Sequence, residues 1–276
     1  MKLATKLPPS FSWLLSILVL LCGCGGGPGT SNPPLSPPSG PPSGPPAQGQ
    51  SISGNWQFST TSTAGMPPLT IAGSINQSGS SVSGAVHVAA GSCFDRLTTI
   101  GLTGTLTDSN ISLTSTPVRG QVMTFTGTIS NDTLTGTYSI NGGCASGDQG
   151  SVTGYGVDLN GVWYGELTTA GGVDIHWGSD QLGQVGASSE GSFGLTGTFN
   201  FNGACFNSGK LTPGTYPTPS FILGTSVALN IPTDNGTIAF VGTAGPDGGG
   251  LIRGTYTVTG GSCESSGTGY LSPWEY

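Results

Sequence analysis

From position 51 onward the chain alternates apolar and polar residues in short runs, a pattern typical of half-buried β-strands. The alternation is clear in "SVSGAVHV" (81–88) and "MTFTGTIS" (123–130), and the Asn131-Asp132 pair that follows predicts a tight turn. No stretch carries a sustained helical period with caps. The pattern therefore predicts an all-β fold. Further runs of the same kind lie at 100–107, 110–115, 133–140, 193–201, 226–231, 237–243 and 253–258.

The chain past Gln50 repeats once. "SGNWQF" (53–58) is matched by "NGVWYGEL" (160–167), and further landmarks recur in the same order roughly 110 residues apart. We therefore predict two tandem copies, 51–156 and 157–276. With about eight short strands in each, we expect antiparallel meanders that form small up-and-down barrels or strongly curled sheets.

The first residues have the layout of a secretory signal peptide. Lys2 and Lys6 precede "WLLSILVLL" (13–21), an apolar run that is too short to span a bilayer as a helix. A positive start followed by a short apolar core is the pattern that directs export.

The end of this segment resembles the lipobox of bacterial lipoproteins. It reads Leu-Cys-Gly-Cys at 21–24, with the small residue of the motif directly before Cys24. The resemblance implies that 1–23 is removed and that Cys24 receives a diacylglyceryl thioether, followed in many bacteria by N-acylation with a fatty acid such as palmitate. Two or more chains anchor a protein stably. The alternative is an ordinary secretory signal with incidental cysteines.

The residue after Cys24 is Gly25, and not the Asp that marks inner-membrane retention in well-studied Gram-negative bacteria. The resemblance therefore implies an outer-membrane protein that faces the periplasm or the cell surface. Residues 24–50 hold the lipid site and a spacer of Pro-Pro-Ser-Gly units, which lacks the apolar side chains needed for a core and is expected to be disordered. As polyproline II the spacer reaches at most about 80 Å.

Four cysteines follow the spacer, two in each copy at matching places. Three pairings are possible in principle. The repeat favours Cys93–Cys144 and Cys205–Cys263, because each copy should fold alike and an exported compartment permits oxidation. Each bridge would stabilise the fold by about 4 kcal/mol on the chain-entropy model. The alternative is four buried free thiols.

The charge balance excludes some partners. The chain has 6 Lys and Arg against 13 Asp and Glu, and a formal net charge of −7. Without a basic patch the chain is not expected to bind nucleic acid or the surface of an anionic membrane. The partners expected are the membrane, through the lipid, and a small-molecule or glycan ligand.

The opening of each copy resembles a known class of barrel. Gly54-Asn55-Trp56 and Gly161-Val162-Trp163 resemble the Gly-x-Trp motif of lipocalin- and avidin-type barrels, in which the Trp closes the base. The resemblance implies the barrel shape and no ligand, because neither the lipocalin Arg nor the biotin-contacting residues of avidins map onto this chain. The whole organisation resembles the uncharacterised Gly/Thr-rich repeat lipoproteins of soil bacteria.

Few residues are suited to catalysis or metal binding. Asp174 and His176 are two apart and share a strand face, with Asp180 near. His87 is the only other histidine, so neither a metal site nor a cofactor is expected. No Gly-x-Ser-x-Gly elbow stands between a strand and a helix. The glutamates that could form a carboxylate pair, and that we expect to be surface charges, are Glu166, Glu190 and Glu264.

Aromatic residues cluster in the second copy. We expect them to form its core, since aromatic side chains supply much of the burial in a small barrel. Exposed on a sheet, they would instead suit sugar stacking or an apolar ligand. The residues are Trp163, Tyr164, Trp177, Phe199 and Phe201.

These observations together predict a non-enzymatic, membrane-anchored lipoprotein of the cell envelope with a binding or structural role. Two alternatives stay open. One is an envelope hydrolase that acts on glycans with a site in the second copy. The other is a lipocalin-like carrier of a small apolar ligand, which requires a hollow barrel.

Overall fold

The computed structural model describes residues 51–90, 93–94, 98–245, 250–263 and 266–274. The predicted signal peptide, the predicted lipid attachment residue Cys24 and the predicted spacer lie outside the described residues. The regular secondary structure of the described residues consists of β-strands, and all of these strands pair in the antiparallel direction. The predicted all-β fold class is confirmed.

The first copy forms a closed barrel of eight strands in sequential order. It closes because β1 pairs with β2 on one side and with β8 on the other. The predicted turn at Asn131-Asp132 joins β6 to β7, and both residues have positive φ, at 47° and 57°, as a two-residue hairpin turn requires. The strands are β1 Gly54–Ser62, β2 Thr70–Ser78, β3 Ser81–Ala90, β4 Thr99–Thr107, β5 Asn110–Ser115, β6 Val122–Ser130, β7 Thr133–Asn141 and β8 Gln149–Gly156.

The second copy forms a barrel in which ten strands occupy eight positions. Two sets of strand pairings close the sheet on itself. The first strand, β9, pairs with both β10 and the last strand, β18. Strand β15 pairs with β16 along one edge and with the short strands β13 and β14 along the other. The strands are β9 Gly161–Thr169, β10 Asp174–Ala187, β11 Phe193–Thr196, β12 Thr198–Asn202, β13 Ser208–Lys210, β14 Phe221–Leu223, β15 Ser226–Thr233, β16 Gly236–Ala244, β17 Ile252–Thr259 and β18 Ser266–Pro273.

Two strand positions of this barrel are split. The run predicted at 193–201 is interrupted at Gly197, whose φ of 158° lies in a region that side-chain-bearing residues rarely adopt. The next position is divided between β13 and β14 by the segment 212–220, which contains three prolines. Proline cannot donate to the ladder of a strand, so the segment leaves the sheet.

Each barrel has its own apolar core. In the first, Trp56 stacks on Phe58 with ring centroids 5.8 Å apart. Ile75, Ile111 and other side chains surround this stack and leave no volume that a water molecule could enter. In the second, Trp177 stacks on Phe199 at 5.1 Å. The first barrel is therefore packed, and not hollow, where its aromatic side chains lie.

The start of each barrel is fixed in the same way. Trp56 Nε1 donates a hydrogen bond to the carbonyl of Ile52 at 2.7 Å, and Trp163 Nε1 donates to the carbonyl of Leu159 at 2.9 Å. Both tryptophans are buried, at 3% and 2% exposure. The sequence repeat is thus also a repeat of side-chain hydrogen bonds.

Both disulfides form within a copy, as the repeat predicts. Cys93 is bonded to Cys144 and Cys205 to Cys263, each with a Cα–Cα distance of 5.8 Å. At each bridge an amide side chain donates a hydrogen bond to the main-chain carbonyl of one of the two cysteines. Gln121 Nε2 donates to the carbonyl of Cys93 at 3.0 Å, and the Nδ2 of Asn235 donates to the carbonyl of Cys205 at 3.2 Å.

The two barrels pack into one compact unit. The turn between β14 and β15 lies on the outer face of β1 and β2, where Gln57 Oε1 accepts a hydrogen bond from the Thr225 N–H at 3.2 Å. A small apolar cluster is buried at this contact, and Tyr216 packs against it. The cluster consists of Ala72, Phe221, Leu223 and Ala228.

Candidate binding face of the second barrel

The structure brings together some of the residues that the sequence indicated and separates others. Asp174 and His176 lie on the same outer face of β10, as alternation predicts. His87 lies elsewhere, on β3, 4% exposed and with its ring 5.4 Å from that of Tyr216. Glu190 is exposed in the turn between β10 and β11, and Glu264 lies outside the described residues.

The outer face of the second barrel carries a row of polar side chains across five strands, which we call the polar row. Register places His176 of β10 opposite Glu166 of β9, and Glu166 opposite Tyr270 of β18. The row extends to Asn202 of β12 on one side and to Arg253 of β17 on the other. Neighbouring side chains of one face interact across a sheet.

Glu166 is the centre of the polar row. Its Oε1 lies 3.3 Å from His176 Nδ1, and the His176 side chain is 64% exposed. Partial burial, together with the charge of Glu166 and a hydrogen bond to it, raises the pKa of Tyr270. The carboxylate therefore binds a neighbour on each side.

A second row lies directly beside the first. It runs from Asn200 through Gly178 and Tyr164 to Ser272. The Tyr164 ring packs against that of Trp274, with centroids 4.6 Å apart and planes inclined by 58°. We call Tyr164 and Trp274 the aromatic pair.

Gly178 opens a groove between Tyr164, the member of the aromatic pair that lines it, and Asn200. A Cβ at this position would lie 2.6 Å from the carbonyl oxygen of Trp163 and 3.0 Å from the Tyr164 ring. The close approach requires glycine. The groove has a volume of about 410 Å³ and is lined by Tyr164, Gly165, His176, Trp177, Gly178, Asp180, Asn200, Phe201 and Asn202.

The aromatic side chains of the second copy divide into two groups. Trp163, Trp177 and Phe199 are buried in the core, as the sequence predicts, and Phe201 is partly buried against the same core. Tyr164 is instead 40% exposed, and Trp274, outside the predicted cluster, is 53% exposed. Five large apolar side chains are exposed among the described residues, and Tyr164 and Trp274 are the two aromatic ones. Exposed apolar groups that touch each other mark a binding surface more strongly than isolated ones.

A hydrolytic site built on Asp174 and His176 would require these two side chains to contact each other, and each has a different partner instead. Asp174 Oδ1 accepts a hydrogen bond from Thr168 Oγ1 at 2.8 Å, whereas His176 lies against Glu166. Among the described residues, no three His, Cys, Asp or Glu side chains gather in a way that could hold a metal ion. The same part of the chain contains no helix with the length and apolar composition needed to cross a bilayer.

A larger cleft, of about 700 Å³, lies where the start of the first barrel meets the second. Several of its polar side chains already hold the local backbone. Asp158 Oδ1 accepts from the N–H of Asn160 at 2.9 Å, and Gln184 Oε1 accepts from the N–H of Leu159 at 3.3 Å. These bonds indicate a structural crevice, so the groove on the outer face is the better candidate site.

Sequence reasoning missed the partnership of Glu166 with His176 and the role of Trp274. Both depend on which residues lie opposite each other on neighbouring strands, and strand register is not visible in a single alternating run. Comparison of the chain with protein-family models and with curated proteins finds no match.

Proposed function

We propose that this chain is a non-catalytic lipoprotein of the bacterial cell envelope, held at the outer membrane by lipid on Cys24 and facing the periplasm or the cell surface. The motif at 21–24 and the proline-rich spacer support the anchor. The two barrels then form one compact unit that the spacer connects to the lipid. The unit serves to bind a ligand at the outer face of the second barrel.

The aromatic pair is the observation that carries the binding role. A monomeric protein buries most of its aromatic side chains, because each one removes a large apolar area from water. Here the Tyr164 and Trp274 rings are exposed and touch each other at an angle, beside a groove that combines apolar area with the polar side chains of Asp180, Asn200 and Asn202. Concave surfaces that combine apolar area with a few convergent polar groups are typical of ligand sites.

The anchor is tested by metabolic labelling with an alkyne fatty acid, followed by separation of membranes from soluble protein. Cys24→Ala should abolish the label and release the chain from the membrane fraction. Cys22→Ala is the matched control, since the lipobox assigns Cys22 to the segment that is removed, and it should keep both the label and the membrane association. Equal labelling of Cys24→Ala and the wild type would refute the anchor.

A glycan hydrolase is the second candidate, and the contact between Glu166 and His176 beside the groove favours it. General acid–base catalysis needs such groups within reach of the substrate. The two proposals differ in a direct measurement, the release of reducing ends from a panel of envelope polysaccharides. We expect no release by the wild type. Release that disappears in Glu166→Gln would establish the hydrolase and refute the non-catalytic role.

The third alternative, a carrier of apolar ligands, is not proposed. It would need an apolar cavity inside a barrel, and the stacked aromatic side chains fill the described interior of the first barrel. In the second barrel the corresponding space holds Trp177, Phe199 and Phe240.

A further inference from the structure

We infer that the groove beside the aromatic pair binds an uncharged polysaccharide chain. The inference deepens the binding role proposed above and rests on it. Three properties of the face indicate the chemical class of the ligand: two exposed rings in contact, polar side chains along the groove, and an excess of acidic groups. The covering of the equivalent face in the first barrel sets the number of sites.

The rings suit one face of a sugar. A pyranose presents C–H groups on its faces and hydroxyls around its edge, so it can pack against an aromatic ring while its edge makes hydrogen bonds. Tyr164 and Trp274 provide this combination of apolar surface and polar tip. Because their planes are inclined by 58°, they form a bent platform and not a single flat one.

The remaining walls of the groove suit the edge of a sugar. Asn200 and Asn202 are exposed on alternate positions of β12, and Asp180 is exposed on β10. Each amide both donates and accepts, and the carboxylate accepts. Such side chains match vicinal hydroxyls, which also donate and accept. An apolar ligand would leave them without partners and lose their hydration.

The charge of the face disfavours an anionic ligand. Glu166, Asp174 and Asp180 place three carboxylates on this face, against two permanent cations among its described residues, Arg253 on β17 and Lys210 on β13. The chain as a whole has a formal net charge of −7. An acidic polysaccharide or a nucleic acid would be repelled. The ligand class is therefore an uncharged glycan.

The equivalent face of the first barrel is covered. Gln57 follows Trp56 as Tyr164 follows Trp163, so Gln57 is the counterpart of Tyr164. Its side chain is occupied by the Thr225 N–H of the second barrel. As far as the described residues show, the face is covered in the first barrel and open in the second, which gives one binding site per chain.

The test uses the purified full chain in detergent. Native gels containing hydroxyethylcellulose, glucomannan, laminarin, dextran or glycol chitin measure retardation, with alginate as the anionic comparison. Titration calorimetry with the matching hexasaccharide then measures affinity and stoichiometry. We expect retardation by at least one uncharged polymer, none by alginate, and one site per chain.

Four variants link this binding to the groove. Tyr164→Ala and Trp274→Ala should each weaken binding at least tenfold, whereas Tyr164→Phe keeps the ring and should stay within threefold of the wild type. Val241→Ala is the matched control, because Val241 is 64% exposed on the outer face of β16. Since all the replaced side chains are exposed, thermal unfolding should be unchanged. Should Tyr164→Ala fail to fold, Asn200→Ala replaces it and should also weaken binding.

The inference is overturned if no uncharged polymer retards the wild type, if alginate alone does, or if Tyr164→Ala binds as tightly as the wild type. These outcomes are separable from failure of the proposed function. Sugar binding by a chain that carries no fatty-acid label refutes the anchor alone, and release of reducing ends from a bound sugar refutes the non-catalytic role alone. A labelled, membrane-bound chain that binds no sugar refutes this inference alone.

Discussion

The carboxamide of Asn55 in the first barrel binds the backbone of Gly224 in the second with both of its polar atoms. Its Oδ1 accepts from the N–H of Gly224 at 2.6 Å, and its Nδ2 donates to the carbonyl of Gly224 at 2.8 Å. Gly224 has a φ of +56°, and a Cβ there would lie 2.2 Å from Gln57 Oε1. The contact therefore depends on an amide at one position and on glycine at the other.

We expect Asn55→Ala to lower the free energy of unfolding by about 2–4 kcal/mol, because it leaves a buried N–H and a buried carbonyl of Gly224 without partners. Urea unfolding followed by tryptophan fluorescence measures the change. Asn76→Ala, at an exposed position of β2, is the control and should alter stability by less than about 0.5 kcal/mol. An unchanged urea midpoint in Asn55→Ala would show that the pair does not join the barrels.

The disulfides should contribute equally to stability. Their cysteines are separated by 51 and 58 residues, so each bridge removes about the same entropy from the unfolded chain, worth about 4 kcal/mol. The double variants Cys93→Ala/Cys144→Ala and Cys205→Ala/Cys263→Ala should therefore lose similar amounts in urea unfolding without reductant. With reductant present during unfolding, the wild type loses both bridges. Its free energy of unfolding should then be lower than that of either double variant measured without reductant. A wild type whose midpoint ignores reductant would contradict the prediction.

The architecture could be predicted from the sequence because it depends on patterns among residues that are close together in the chain and on the internal repeat. Alternation marks the strands, and positions such as Asn131 and Asp132 mark a turn. The repeat assigns both cysteine pairs, since two similar units must each close their own loop. The filled core around Trp163 and Trp177 follows from the same alternation.

The contacts between strands and between barrels could not be predicted. Asn55 alternates like any polar strand residue, and nothing near it in the sequence indicates that Gly224 is its partner. Glu166 likewise appears as a single surface charge until register places it between His176 and Tyr270. The binding face is thus a product of long-range pairing, which a single sequence does not display.

Trp56 and Trp163, which occupy equivalent positions in the two barrels, should contribute similar amounts to the free energy of unfolding. Trp56→Phe and Trp163→Phe each remove an indole N–H that binds a main-chain carbonyl four residues earlier, and each leaves space beside a smaller ring. We expect each to cost about 2–4 kcal/mol. Tyr164→Phe, next to Trp163 but exposed, is the control and should be nearly neutral. A large loss in one barrel and none in the other would show that the repeated hydrogen bond is not equally important.

Stability at high pH should depend on Tyr138. This side chain is 3% exposed and donates a hydrogen bond from its hydroxyl to Asp148 Oδ2 at 2.8 Å, while Ser62 Oγ donates to Asp148 Oδ1. Burial raises the pKa of Tyr138, and the hydrogen bond with Asp148 raises this pKa further. An unfolded tyrosine ionises near pH 10. Above about pH 10 the unfolded chain therefore loses a proton that the folded chain retains, and the free energy of unfolding falls as the pH rises toward the folded-state value.

Tyr138→Phe should remove this part of the pH dependence. At neutral pH we expect the variant to be less stable than the wild type by about 1–3 kcal/mol, because the buried Asp148 carboxylate loses a donor. Above about pH 10 its free energy of unfolding should fall less steeply, so that the gap between the two proteins narrows. Urea unfolding at a series of pH values measures both slopes, and the range from about pH 7 to 9, in which no tyrosine of the unfolded chain ionises, is the internal control. Parallel slopes above pH 10 would show that the Tyr138 proton is not held by the fold.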